Sequence, residues 1–136
     1  MERHAGSVRV RVVDDSVPCR GAVCDVVRAT PGFELAGEVG SGEEAVELAA
    51  RVEPDLVLLD IRMDGISGFD TAERLRIERP EAVVVLASAW VEEAAAGAGR
   101  CGAAAVVHKR DISPAVLEEL WALHGAGLVP APAQAS

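Results

Sequence analysis

Large aromatic side chains are nearly missing from this chain: two Phe, two Trp and no Tyr in 136 residues. Val, Leu and Ala must therefore fill the core, and because Ala and Val bury little area each, thin and closely packed layers are expected. Cysteine is also scarce. The odd count of Cys19, Cys24 and Cys101, with no secretory segment evident, favours reduced thiols and a cytoplasmic protein. Cys19 and Cys24 are five apart, outside the spacing of a zinc knuckle, and on a helix they would point about 140° apart, so a core-filling role is expected of them. Cations are outnumbered, 13 Lys and Arg against 22 Asp and Glu, and the net charge of −9 argues against unspecific binding to nucleic acid or anionic lipid by this chain. No apolar run approaches the ~20 residues of a membrane helix, so no membrane association is expected. A G-x-x-x-x-G-K-[ST] loop is absent too, which leaves nucleotide hydrolysis by that route unsupported.

What is present is alternation. Short apolar runs at Val8–Val13, Phe33–Val39, Leu56–Asp60, Val83–Leu86 and Ala104–Val107 read as strands. Arg9 and Arg11 alternate with valines, so the first strand is expected to begin half exposed. Between the strands lie helical segments with start signals. Ser16 with Pro18 opens the first, which carries Val23, Cys24 and Val27 and stops before Pro31-Gly32. Ser41 and Glu44 form a capping box for a helix running to Arg51, with Ala45, Leu48 and Val52 inward. Ser67 and Asp70 open a third helix to about Arg79. A fourth, Val91 to Ala98, is weakened by Gly97 and Gly99. Ser113 and Pro114 open a fifth, with Val116, Leu117, Leu120 and Trp121 on its apolar face and Gly125 as its stop. Five βα units at this pitch imply a parallel sheet with helices on both faces. The folded domain is expected over residues 7–125, with a loose leader before it. Residues 126–136 read as a disordered tail or the start of a linker.

Two of the strands end in acids. Val8–Val13 runs into Asp14-Asp15, and Leu56-Val57-Leu58-Leu59 into Asp60. Open parallel sheets place their chemistry at the carboxyl ends of strands. If the two strands are neighbours, about 4.8 Å apart, three carboxylates converge, an arrangement that needs a cation or protons. A hard divalent ion such as Mg²⁺ takes oxygen ligands, and Asp15 and Asp60 are its candidate ligands, with Asp14 holding water nearby. Ser88 and Lys109 follow the fourth and fifth strands, where a hydroxyl and an ammonium can neutralise a transferred phosphoryl group. An aspartate is a competent nucleophile for such a transfer. Plainer readings stand beside these. Asp14-Asp15 can cap the first helix, Asp60 can close a strand, a serine after a strand is ordinary, and Lys109-Arg110 can be a solvated pair. Trp90 and Trp121 read as packing residues, and His108 and His124 as surface residues.

Taken in order, Asp14-Asp15, Asp60, Ser88 and Lys109 resemble the receiver domain of bacterial two-component response regulators, over about residues 7–124. Gly42-Glu43-Glu44-Ala45 and Pro54-Asp55-Leu56 are similar to receivers of regulators with a helix-turn-helix output. The resemblance implies a flavodoxin-like, doubly wound sheet of order 2-1-3-4-5. It implies that Asp60 takes phosphate from a histidine kinase or phosphotransfer protein. Mg²⁺ would be held by the acidic set of Asp14, Asp15 and Asp60 with the backbone carbonyl of Arg62, while Lys109 pairs with the phosphate and Ser88 moves to meet it. The module would be a phosphoprotein that catalyses its own phosphotransfer and dephosphorylation, not a turnover enzyme. It would act on a downstream protein, or on a second copy, through the face of the fourth helix, fifth strand and fifth helix.

Three positions depart from that family's pattern. Asp64 follows Met63 where a proline is usual, loosening the loop and adding a negative charge. Arg110 follows Lys109 in place of a cis-linked proline, so a trans bond is expected there, with Lys109 aimed differently. Val106 stands where an aromatic switch residue is usual. With no ring to flip, and glycines in the fourth helix, phosphate is expected to bias the order of residues 89–102. Two rival motifs fail. Gly40-Ser41-Gly42-Glu43-Glu44-Ala45 fits a dinucleotide loop, but it follows the second strand and its glutamates would repel a pyrophosphate. A D-x-D phosphatase is undercut by Arg62 in the second position. The reading is a stand-alone receiver; the alternative is the receiver part of a longer DNA-binding transcriptional regulator.

Overall fold

The computed structural model describes residues 7–125. Its elements alternate strictly: β1 (Val8–Val13), α1 (Val17–Ala29), β2 (Phe33–Val39), α2 (Gly42–Ala49), β3 (Leu56–Leu59), α3 (Gly68–Glu78), β4 (Val83–Ser88), α4 (Val91–Cys101), β5 (Ala105–His108), a 3-10 turn (Lys109–Asp111) and α5 (Pro114–His124). All four strand pairings are parallel, in the order β2-β1-β3-β4-β5. This is the flavodoxin-like topology that the sequence suggested. The expected leader before residue 7 and the tail from 126 to 136 lie outside the described residues.

The two central strands explain why the chain folds this way. Every residue of β3 is at most 1% exposed, and β4 is buried along its whole length. A strand covered on both faces can be apolar throughout; β3 is, and β4 is as far as Ser88 at its end. Alternation then sorts the side chains. Val10, Val12, Leu56, Leu58 and Val85 pack with Val23 and Val27 of α1 and Leu117 of α5. Val13, Val57, Leu59 and Leu86 pack with Ala45, Ala49, Leu75 and Ala94 of α2, α3 and α4. Each buried Val or Leu contributes roughly 1.5–3 kcal/mol. Small alanines, Ala45, Ala49, Ala72 and Ala94, supply much of the helical side of the second cluster.

Four helix starts are fixed by serines. The hydroxyls of Ser16, Ser41, Ser67 and Ser113 accept from the N–H groups of Cys19, Glu44, Asp70 and Val116. Glu44 completes its box one residue early, accepting from Gly40 N–H. α2 stops at Ala49, two residues short of expectation, and it buries Ala49 while Leu48 is only half-buried. α4 runs further than expected, to Cys101, and ends on Gly102 at φ +83. Its Gly97 has a packing reason, because a Cβ there would collide with the Phe69 ring of α3. Cys24 and Cys101 are buried, Cys19 is half-buried, and all three are free. Burial, helped by the charge of Glu38, pushes the Cys24 thiol up to about 11, so it is an inert packing group. His108 and His124, expected on the surface, are both half-buried.

The expected half-exposed start of β1 holds at Arg9 and fails at Arg11. Arg11 is not on a half-exposed edge; it is 1% exposed beneath the end of α2. β2 carries an extra residue opposite it, with Val10 paired to Leu35 and Arg11 to Gly37, so Ala36 bulges. Gly37, at φ +146, has the backbone conformation that glycine favours, and a Cβ there would press on Leu48 at 3.2 Å while only touching the guanidinium. Sequence alternation could not register this, because the bulge shifts which side chains stand opposite β1.

Candidate functional site

The register of the sheet brings the acids together. Val13 and Leu59 are paired neighbours, so the residues after them, Asp14 and Asp60, leave the sheet side by side. The ladder extends onto both: Asp60 N–H donates to Val13 O at 3.0 Å, and Asp14 N–H to Val39 O at 3.1 Å. Their backbones are therefore as fixed as the strands. One carboxylate oxygen from each of Asp14, Asp15 and Asp60 lies within 4.8 Å of the others. Asp14 and Asp60 are buried and Asp15 is exposed, so the cluster opens to solvent on one side.

Lys109, just past β5, reaches into this cluster. Its Nζ lies 2.8 Å from Asp14 Oδ2 and 3.2 Å from Asp60 Oδ2. No peptide bond among the described residues is cis, and the lysine reaches the acids nonetheless, contrary to the expectation that a trans bond would aim it elsewhere. Asp14 Oδ1 accepts from Ser16 N–H at 2.9 Å, and Asp60 Oδ1 from Ile61 N–H at 2.8 Å. Burial foremost, then the charge of Asp14, raises the Asp60 carboxyl above its ordinary range; Lys109 and the backbone of Arg62 pull it back in part. Burial by itself would lower Lys109. Its hydrogen bond to Asp14 and the charges of Asp60 and Asp14 outweigh that, and the ammonium is held more firmly than usual. Three acids and one cation leave an excess of negative charge at an open mouth. That chemistry suits a hard divalent cation with oxygen ligands.

The other predicted residues make their contacts outside the acidic cluster. Ser88 closes β4 fully buried, and its Oγ accepts from Trp90 N–H at 2.8 Å. Arg62 does not crowd Asp60 with its side chain. The guanidinium turns to α4, 2.7 Å from Glu93 Oε1 and 4.0 Å from the centroid of the Trp90 ring. Trp90, read from the sequence as a packing residue, is 50% exposed. Val106 is half-buried against the α2–α3–α4 side of the core.

Two supporting groups escaped the sequence reading. The backbone N–H of Asp64 donates to Asp15 Oδ2 at 3.2 Å, and that of Ile66 to Glu43 Oε2 at 3.2 Å. Together they tie the loop after β3 to the ends of β1 and α2. The signal for the first was the missing proline, since a proline at position 64 would have no N–H to give.

Known proteins share this fold. The profile of the response regulator receiver domain matches residues 10–120. The chain is 40% identical over 105 residues to protein-glutamate methylesterase/protein-glutamine glutaminase 4 of Myxococcus xanthus, covering 75% of this chain and 30% of that protein. The chain thus spans less than a third of that relative's length. The response regulator domain of Thermotoga maritima CheB superposes with a TM-score of 0.78 at 27% identity, covering 88% of this chain and 97% of the other. Thermotoga maritima TrrA, solved in complex with Mg²⁺-BeF, superposes at 0.74 with 28% identity, covering 85% and 98%. Phosphorylation and Mg²⁺ binding are typical of this family, whose members work with histidine kinases or phosphotransfer proteins. The acids converging where two paired strands end, the 2-1-3-4-5 sheet and the matched profile lead to one conclusion: the chain belongs to the response regulator receiver domain family.

Proposed function

We propose that residues 7–125 form a phosphoacceptor domain in which Asp60 takes a phosphoryl group from the phosphohistidine of a histidine kinase or phosphotransfer protein. The observation that carries this reading is the meeting of Asp14, Asp15 and Asp60 within 4.8 Å, with Lys109 bridging two of them. A carboxylate oxygen of Asp60 forms the new P–O bond as the donor's P–N bond breaks, and the departing imidazole regains a proton. Asp60 must be ionised to attack. Its buried position opposes that, and Lys109 opposes the opposition by holding a positive charge 3.2 Å away.

Asp15, Asp60 and the backbone carbonyl of Arg62 would hold Mg²⁺, with Asp14 completing the acidic set. When bound, Mg²⁺ supplies neutralising charge for the acids and the phosphoryl oxygens. Lys109, which touches both Asp14 and Asp60, would share its charge between Asp14 and the phosphoryl group. Ser88 Oγ exchanges its bond with Trp90 N–H for one to a phosphoryl oxygen. We assign the domain no substrate turnover of its own.

The output surface in this reading is the face of α4, β5 and α5. A groove of about 580 Å³ lies there, lined among others by Val91, Val106, His108, Leu123 and His124. Leu123 is 66% exposed at its margin, and β5 is an edge strand of the sheet. A downstream protein or a second copy of this chain docks on it. Among the described residues no helix is long and apolar enough to cross a membrane, and the three free thiols fit a reducing compartment, so we place the protein in the cytoplasm.

Intact mass after incubation with acetyl phosphate and Mg²⁺ tests the acceptor. Wild type is expected to gain one labile phosphoryl group and Asp60→Asn none. An equal gain in both, or none in wild type, would sink the assignment.

A further inference from the structure

Arg62 stands two residues beyond Asp60, yet its side chain runs along the surface to the head of α4. Nη2 and Nε both reach Glu93 Oε1, at 2.7 and 3.2 Å, and the guanidinium carbon lies 4.0 Å from the centroid of the Trp90 ring. Trp90 is the residue on which α4 starts, and no side-chain hydrogen bond caps that helix. Its backbone N–H is the group that Ser88 Oγ accepts. The first turn of α4 is thus fastened to the acceptor end of the sheet at two points, Arg62 and Ser88. Both fastenings belong to residues at the same end of the sheet as Asp60: Arg62 follows it by two positions, and Ser88 closes β4, the strand paired with β3.

The Arg62 fastening is a weak one. Its side chain and that of Glu93 are 54% and 48% exposed, and an ion pair so exposed contributes little net stability; a cation–π contact at the surface adds little more. A phosphoryl group competes well for the same guanidinium. It brings nearly two negative charges and three acceptor oxygens, spaced to suit the planar fork of arginine.

We propose that Arg62 exchanges partners on phosphorylation: its guanidinium leaves Glu93 and the Trp90 ring, binds the phosphoryl oxygens on Asp60, and so releases the first turn of α4. The exchange rests on the reading of Asp60 as acceptor. It makes Arg62 a phosphoryl-binding residue of this chain, in addition to the Lys109 and Ser88 side chains. It also gives a route from Asp60 to residues 89–102 that needs no ring at position 106, where Val106 stands.

Acrylamide quenching of Trp90 emission reads the exchange directly, in a Trp121→Phe background that leaves one indole. Mg²⁺ and beryllofluoride are the probe, and ¹⁹F NMR on the same samples reports whether beryllofluoride is bound and whether Asp60→Asn abolishes it. With Arg62 present, the quenching constant is expected to rise about twofold on binding, as the covered ring face opens. Arg62→Ala is expected to bind beryllofluoride more weakly and, compared at concentrations where its own ¹⁹F signal shows the site filled, to start at the higher quenching value and stay there. If bound beryllofluoride leaves Trp90 quenching unchanged, or if Arg62→Ala responds as fully as wild type, the exchange is overturned while the acceptor reading stands. Absence of a bound ¹⁹F signal in wild type overturns the acceptor reading and the exchange with it.

Discussion

Two cations are drawn in against this sheet, Arg11 buried in β1 and Lys109 half-buried just past β5, and their surroundings are opposite. Lys109 meets two carboxylates, at 2.8 and 3.2 Å. Arg11, 1% exposed, meets only carbonyls: Nη2 donates to Val52 O at 3.0 Å and to Ala36 O at 3.5 Å, while Nε and Nη1 have no hydrogen-bond partner among the described residues. The consequences for their protons differ in sign. Lys109 is raised despite its burial. Arg11 is lowered to about 10, by burial first and by the neighbouring Arg9 second. A desolvated charge is tolerated where opposite charge converges, and is a standing cost where only dipoles face it. The strand-end cluster at Asp14 and Asp60 thus holds its cation electrostatically. Arg11 is held by shape, packed against the bulged part of β2 under the end of α2.

Breaking each cation in turn tests that contrast. Lys109→Met should have the largest effect. It leaves Asp14 and Asp60 side by side without a counter-charge, and urea unfolding at neutral pH without metal should show a loss of about 3 kcal/mol. Lowering the pH should restore much of it by protonating the pair. In wild type the lysine's contribution is present at neutral pH and is lost only as pH rises through its raised pKa. Arg11→Met should move the other way, gaining about 1–2 kcal/mol, because a similar volume is filled without burying a charge. A loss of that size would mean the bonds to Val52 O and Ala36 O outweigh desolvation.

Asp60→Asn should have the smallest effect, a gain of about 1 kcal/mol in the metal-free protein at neutral pH. The sign follows from the raised carboxyl. Asp60 contributes stability fully below the ordinary carboxylate pKa and loses it as pH rises through the higher folded value. The variant's advantage should therefore open as pH increases through that window. A constant difference across pH would show that Asp60 carries no such strain.

The sequence made the strand ends legible because topology alone decides them. Once Val8–Val13 and Leu56–Leu59 are parallel neighbours, Asp14 and Asp60 must meet, and Lys109 has a short reach to both. The serine starts at positions 16, 41, 67 and 113 were equally plain, since capping is a local matter. Arg11 was hidden because a bulge on another strand decides its surroundings. The Arg62–Glu93 pair spans 31 residues and the Asp64–Asp15 bond 49, and neither follows from local periodicity. They depend on how the loop after β3 lies against α4 and β1, which is set by packing.

The account stands or falls on whether Asp15 and Asp60, 45 positions apart in the chain, serve one cation. Calorimetric titration of the metal-free protein with Mg²⁺ asks this most directly, in wild type, Asp15→Asn and Asp60→Asn. One site is expected in wild type, with affinity reduced about tenfold or more in each variant, as loss of a carboxylate ligand requires. Equal affinity in all three proteins would contradict it, and the acids at the strand ends would then be no more than neighbours.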